Sequence, residues 1–262
     1  MDELRRELCE YGRRAVSLGL VIGTSGNLSV RHGDLVAVTP SGVALDRLRP
    51  EDCPVLDLDG RVVEDAAAVR DASQARDGHT EQAHDSHTDH VRDGDTPQAH
   101  GTPQARGAGH PGGSADTAGA RGGRKPSSET PMHLALYAAT GARAIVHTHS
   151  VFATVVASTM TELPPIHYNA LLLGGTVRVA PYATYGTPEL AANVVEALAG
   201  GQAALMANHG GVTIGGSLEQ AFEATRLLEW LCEVYVRALG VGRPAVLTDD
   251  QLAAVVERAF SG

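Results

Sequence analysis

The nine residues AIVHTHSVF (Ala144–Phe152) set two histidines one residue apart inside an otherwise apolar run. Ala144 to Ser150 reads as a β-strand, and Val151 opens a helix over VFATVVAS. A strand that feeds directly into a helix is the unit of a mixed α/β fold, and the neighbouring segments extend it. Upstream, a helix is expected over Asp2–Leu18. Strands NLSVR (Asn27–Arg31) and LVAVT (Leu35–Thr39) follow around the turn HGD, and PVLDLDGRVV (Pro54–Val63) reads as a hairpin with Asp-Gly at its tip. Thr130 is placed to cap a helix with Pro131 at its first position, running through MHLALYAAT. Downstream come a strand in TVRVAPYA (Thr176–Ala183), a Thr-Pro-led helix over Thr187–Gly200 and an apolar strand, AALMAN (Ala203–Asn208). Ser217-x-x-Gln220 and Thr248-x-x-Gln251 then open two amphipathic helices as capping boxes. The pattern predicts an α/β sandwich.

Composition narrows the function. Of the 262 residues 43% are hydrophobic, enough for a substantial core, yet no apolar run approaches the ~18 residues a membrane span needs. The opening MDELRRELCEYGRR is charged and lacks the apolar region of a secretory signal. Three cysteines (Cys9, Cys53, Cys232) without a CxxC spacing read as reduced, buried thiols of a cytoplasmic protein. A formal charge of −10 argues against a nucleic-acid partner, which would call for a basic stripe. Only Lys125 is a lysine, so chemistry through a lysine Schiff base has a single candidate, set in GGRKP.

Residues 66–124 differ from everything around them. They contain no Leu, Ile, Met or aromatic residue, and TPQAHG at Thr96 is followed at once by TPQARG at Thr102. Such a stretch cannot bury enough apolar area to offset the entropy of ordering it, about 1–2 kcal/mol per residue for the backbone alone. It reads as a disordered, low-complexity insertion within a single domain spanning 1–262. Its six histidines (His79, His84, His87, His90, His100, His110) have no apolar framework to fix them, although His-rich tracts can bind metal weakly.

His147 and His149 stand differently. Residues i and i+2 of a strand share a face, about 6–7 Å apart, so both imidazoles can aim at one cation. The pair also fits two ordinary core or surface histidines. His209, in ALMANHGG, follows an apolar strand and precedes two glycines that permit a tight turn and close backbone approach. It reads as a third ligand or as a turn histidine. Ser127, Ser128 and Glu129 sit immediately before the Pro-led helix; they fit simple capping, or a phosphate held at a helix N-terminus beside a carboxylate that reaches a metal. The polar turns GTSGNLS (Gly23–Ser29) and TPSG (Thr39–Gly42) offer more backbone N–H groups and hydroxyls of the kind that cradle phosphate without lysine.

Taken in order, TSGNLS, TPSG, PSSE, VHTHS, HY..LLLGG, PYATYGT and ANHG resemble the class II aldolase/adducin family, most of all its L-fuculose-phosphate aldolase branch. The resemblance covers the chain apart from the insertion. It implies a three-layer α/β/α sandwich around a largely antiparallel sheet. It also implies one Zn2+ per subunit, or another divalent metal, on His147, His149 and His209, with Glu129 completing the site and serving as acid/base. Ser25, Gly26, Asn27, Ser41, Gly42, Ser127 and Ser128 match the family's phosphate-binding turns. Tyr168 matches a tyrosine that reaches a neighbouring subunit's active site in a homotetramer.

The implied reaction is cleavage of a phosphosugar, a ketose 1-phosphate like L-fuculose 1-phosphate, to dihydroxyacetone phosphate and an aldehyde through a metal-stabilised enediolate. Without a usable lysine the charge left by C–C cleavage needs a metal as its sink. The same family offers a ribulose-5-phosphate 4-epimerase, a methylthioribulose-1-phosphate dehydratase and a non-enzymatic adducin-like scaffold. Glu129 favours the aldolase over the epimerases, which carry Asp there, and the complete ligand set disfavours the scaffold. The sequence departs from the branch at one point: it ends ERAFSG, with Phe260 and no match to the branch's C-terminal tyrosine.

Overall fold

The computed structural model describes residues 1–63 and 124–261. Of the expected insertion only Arg124 falls within them; its six histidines lie outside the described residues.

The histidine stretch forms β4 (Ala144–Thr148), and every residue of it is buried. A strand covered on both faces and paired on both edges must be nearly all apolar, which is how AIV reads. Its partners are β1 (Asn27–His32) and β8 (Gly210–Gly215), both antiparallel to it. Outside β1 lie β2 (Leu35–Val38) and β3 (Val55–Asp57); outside β8 lie β7 (Ala203–Met206), β6 (Val177–Ala180) and β5 (Glu162–Leu163). The eight strands make one sheet in the order β3-β2-β1-β4-β8-β7-β6-β5, antiparallel except for the β6–β7 pair.

Period-2 alternation sorts the side chains. Ala144 and Val146 join Leu28, Val30 and Ala37 against α1 (Asp2–Ser17) and the first turns of α5 (Leu218–Val241). Farther along the same face, Ala203, Leu205 and Val177 pack on α3 (Val151–Thr159) and the middle of α5. Ile145, Val36, Ala204, Met206 and Val212 face the other way, against α2 (Thr130–Ala139) and α4 (Pro188–Leu198). Helices therefore cover both faces, giving the three-layer α/β/α sandwich. His147, two residues after Ile145, points into the α2 layer. A final helix, α6 (Asp249–Phe260), is capped by the expected Thr248–Gln251 box, and Phe260 at its end is exposed.

The structure corrects several local expectations. Thr130 is the first helical residue of α2, not its cap; the cap position belongs to Glu129, and the Thr130 hydroxyl donates to the Ser127 carbonyl at 2.7 Å. At the start of α5, Ser217 accepts from the Gln220 amide, but Gln220 Oε1 takes its bond from Gly216 N instead of closing the box on Ser217. Strand β8 was not expected, because its two leading glycines read as a turn. The left-handed residue of that turn is Asn208 (φ 58°), and Gly210 and Gly211 belong to the strand. The short β5 and the 3-10 turns over Tyr168–Leu173 were not expected either. The three cysteines are buried and free, as read from the sequence. No helix among the described residues is long and apolar enough to cross a membrane.

Candidate metal centre and adjoining cavity

Four segments meet at the C-terminal end of β4. His147 comes from the strand, and His149 from the residue pair that links it to α3. His209 comes from the β7–β8 turn, and Glu129 from the residue that caps α2. Two backbone approaches set the spacing. Gly26 adopts φ +78°, and a Cβ there would meet the His147 carbonyl at 2.8 Å, so only glycine lets the TSGNLS turn close over the strand end. Gly210 packs so tightly on the Thr148 carbonyl that any side chain would overlap it. That contact holds the His209 turn against the end of β4, beside His147 and His149.

The resulting geometry is close to threefold. The ring centroids of His147, His149 and His209 are each 4.8 Å from the other two. His147 Nε2 lies 3.0 Å from His149 Nε2 and 3.1 Å from Glu129 Oε2, and His209 Nε2 lies 3.1 Å from Glu129 Oε1. One ligand atom from each of the four residues falls within 4.8 Å of the others. His147 Nδ1 sits 2.9 Å from the Gly211 carbonyl. Since a carbonyl only accepts, the proton is on Nδ1 and the lone pair of Nε2 is turned inward.

This donor set fits a divalent cation. When the three imidazoles are neutral and turn lone pairs inward, they and a carboxylate within about 3 Å repel one another unless a positive charge lies among them. Glu129 Oε1 is buried without a hydrogen-bond partner among the described residues, as a ligand oxygen awaiting a cation would be. Three histidines and a carboxylate are borderline-hard ligands suited to Zn2+ and its divalent neighbours. Burial opposes charge on Glu129, but without a metal the protonated forms of His147 and His209 beside it prevail and hold the carboxyl well below the usual range, standing where a cation's charge would. Burial, with His147 and His209 adjoining, pulls His149 down to about 4, so its ring is neutral near pH 7 and free to ligate.

Beside the cluster opens a cavity of about 360 Å³. Every residue expected to bind phosphate lines it: Ser25, Gly26, Asn27, Ser41, Gly42, Ser127 and Ser128. Glu129, His149 and His209 complete one wall, while His147 is wholly buried behind them. The turns expected to bind phosphate are laced to one another. Ser41 N donates to the Lys125 carbonyl at 2.9 Å and Ser127 N to the Thr39 carbonyl at 3.2 Å, across a bridge between Pro40 and Pro126. Ser25 Oγ closes its own turn on the Ile22 carbonyl at 2.6 Å, and Asn27 Nδ2 donates to Glu129 Oε2 at 2.8 Å. Asn27 thus joins the polar turns of the cavity to the histidine–glutamate cluster.

Two expectations stand apart. Tyr168 is 53% exposed at the head of the 3-10 segment, its ring stacked on His167 at 4.5 Å, and it does not line this cavity. Lys125 is exposed and does not line it either. The sequence reading assigned no role to Tyr182, Tyr185 and Asn208, which do line it; PYATYGT was visible as a motif, but no chemical feature marked its tyrosines. The capping of α3 was also missed. Glu229, one helix away, accepts from Ser150 Oγ at 2.7 Å, Phe152 N at 2.9 Å and Ala153 N at 2.8 Å, fixing the chain just after His149.

Residues 6–236 match the family model described as Class II Aldolase and Adducin N-terminal domain. The chain is 30% identical, over 100% of its length and 97% of the relative's, to a 5-deoxy-D-ribulose 1-phosphate aldolase of Bacillus thuringiensis serovar kurstaki. It is 31% identical, over 97% of its length and 90% of the relative's, to a 5-methylthioribulose-1-phosphate/5-deoxyribulose-1-phosphate aldolase of Rhodospirillum rubrum. Among solved structures it resembles an L-fuculose 1-phosphate aldolase, with a TM-score of 0.74 and 31% identity over 98% of this chain and 96% of that one.

Proposed function

The chain belongs to the class II aldolase and adducin family as a carbon–carbon lyase, and from that premise we propose that it cleaves a ketose 1-phosphate to dihydroxyacetone phosphate and an aldehyde. The observation that carries the substrate half is the PSSE turn. Within four residues it lines the cavity with two serines and supplies Glu129 to the histidine cluster, so a phosphate and a metal would sit side by side. The three relatives are named for three sugars between them, two sharing 5-deoxyribulose 1-phosphate, and each sugar is a ketose 1-phosphate. Their common end is the one these turns would grip.

In the proposed reaction the bond between C3 and C4 breaks, the C4 hydroxyl loses its proton and becomes the aldehyde carbonyl, and the electron pair stays with C3. A Zn2+ or similar ion on His147, His149 and His209 would supply the Lewis acid that takes up this charge at the ketone. The hydroxyls and N–H groups of the TSGN, TPSG and PSSE turns orient the phosphate. Glu129, an anion reaching from the cavity wall, gives and takes the proton at C3. Tyr168, from a neighbouring subunit of a homotetramer, handles the proton of the C4 oxygen; its exposure and its absence from its own subunit's cavity support that placement. We place this chemistry in the cytoplasm, on one catalytic domain spanning 1–262 in which residues 66–124 take no part.

The test is a panel of 5-deoxyribulose 1-phosphate, 5-methylthioribulose 1-phosphate, L-fuculose 1-phosphate and ribulose 5-phosphate, offered to the zinc-loaded protein. Release of dihydroxyacetone phosphate from at least one ketose 1-phosphate is expected. Epimerised ribulose 5-phosphate, or a dehydrated sugar, with no triose phosphate from any substrate would overturn the reading.

A further inference from the structure

Behind the metal cluster, β1 and α2 face each other across a buried polar seam. Asn27 and Ser29 lie on one side of β1, and Glu129, His133 and Tyr137 follow one another at successive turns of α2. Asn27 Nδ2 donates to Glu129 Oε2 at 2.8 Å, and Ser29 Oγ lies 2.6 Å from His133 Nδ1 and 2.8 Å from Tyr137 Oη. His133 is 1% exposed, where an uncompensated imidazolium would be costly. No step of the proposed reaction uses this histidine.

Counting protons fixes the direction of the chain. Tyr137 Oη has Ser29 as its one partner among the described residues, and Ser29 has one proton to give. If Ser29 donated to Tyr137, the tyrosine proton would be left buried without an acceptor, at a cost of about 1–3 kcal/mol. The satisfied order is Tyr137 to Ser29 to His133 Nδ1, which leaves the imidazole proton on Nε2. His133 Nε2 is buried with no partner among the described residues, and so is Asn27 Oδ1. Asn27 has no freedom to flip, because only its NH2 can face the Glu129 carboxylate. The two orphans are therefore an N–H donor and a C=O acceptor on adjoining rungs of one seam.

We propose that His133 is a positioning residue for Glu129: its Nε2–H serves Asn27 Oδ1 across one buried water, and so locks the carboxamide that holds Glu129 Oε2. The relay runs Tyr137, Ser29, His133, Asn27, Glu129. It rests on the reading of Glu129 as the proton carrier. It would keep the carboxylate aimed whenever the group leaves the metal to work on substrate.

The first test needs no activity. Long-range 1H–15N spectra of the full, metal-free chain should show His133 as the Nε2–H tautomer, and Asn27→Ala should speed exchange of that proton. An Nδ1–H tautomer, or an Nε2 proton unaffected by Asn27→Ala, overturns the relay. The second test compares His133→Leu with His133→Gln, whose amide can reach where the imidazole Nε2 lies. In metal-replete protein, His133→Leu should lower kcat roughly 10-fold or more with KM little changed, and His133→Gln should restore most of it. Equal kcat in folded His133→Leu, or a change in KM alone, overturns the relay. Should His133→Leu not fold, Tyr137→Phe removes the chain's first donor and should lower kcat in the same sense; an unchanged kcat there counts against the relay. A chain without aldolase activity would defeat the proposed function, and the tautomer would still decide the relay.

Discussion

Asn27 Nδ2 donates to Glu129 Oε2 at 2.8 Å, from a strand residue to a helix-capping residue 102 positions later in the chain. That bond ties the turn expected to hold phosphate to the carboxylate expected to move a proton. It restrains Glu129 from β1, an element that supplies none of the four clustered residues, so the carboxylate would have a second anchor besides a cation.

Glu129→Gln should therefore retain metal while losing turnover. The amide keeps a ligand oxygen and the shape of the side chain but cannot take up a proton. Metal content per subunit should match the parent protein and kcat should fall by about 10²- to 10⁴-fold. Unchanged kcat would remove Glu129 from proton transfer.

Metal removal should cost stability as well as activity. The cluster gathers four ligand atoms only in the folded state, so an ion is expected to bind the folded state in preference to the unfolded chain. Saturation at about 100 times Kd should add about 2.7 kcal/mol, read as a rise in Tm when zinc is returned to chelated protein. His209→Ala should abolish that rise; a Tm that ignores both chelator and zinc would contradict the site.

Gly210→Ala places a methyl group into the Thr148 carbonyl, in the strand pair that spaces the three histidines. Overpacking of this kind costs typically 1–3 kcal/mol. Metal affinity should fall along with Tm, because β4 and β8 must separate. Gly33→Ala, where no atom lies within 4 Å of the added carbon but φ is +58°, should lower Tm through backbone strain and leave metal affinity intact.

Asp52 gives a pH dependence remote from the cluster. Burial opposes its charge, but hydrogen bonds from Arg49 and Arg124 prevail and hold the carboxyl below its ordinary value. A depressed folded pKa stabilises above the unfolded value, about 3.9, and that stability is lost as pH falls through the folded one. Asp52→Asn should thus lower Tm at pH 7, and the gap to the parent should shrink below about pH 4. Melts of chelated protein at pH 7 and pH 3 check this. A gap that widens in acid would reverse the sign.

Replacing residues 67–122 with a short Gly/Ser linker should leave metal content and kcat/KM within about twofold, since none of the four ligand residues or the cavity-lining turns comes from that span. Loss of the metal on this replacement would mean that the insertion's histidines had been set aside wrongly.

The fold was largely legible because its signals are local. AIVHTHS alternates between two helical layers, Pro131 and Pro188 mark helix starts, and β1, β2 and β4 are apolar enough to announce themselves. Strand β8 was hidden because GGVTIG begins with the residues that disfavour strands; it is a strand because β4 and β7 pair with both its edges, a tertiary effect. The metal ligands were individually ambiguous and became a set only through motif order. The Ser29, His133 and Tyr137 seam was missed although His133 and Tyr137 repeat the four-residue spacing of Glu129 along α2. Nothing in the sequence says that this face meets Asn27 and Ser29; the antiparallel pairing of β1 with β4 decides it.

The most direct measurement is metal titration of chelated protein while dihydroxyacetone phosphate release from 5-deoxyribulose 1-phosphate is followed. Activity should rise linearly with zinc and saturate at about one ion per subunit, and His147→Ala should stay inactive throughout. Release of triose phosphate by metal-free protein, or by His147→Ala at the parent's rate, would contradict a reaction built on this cluster.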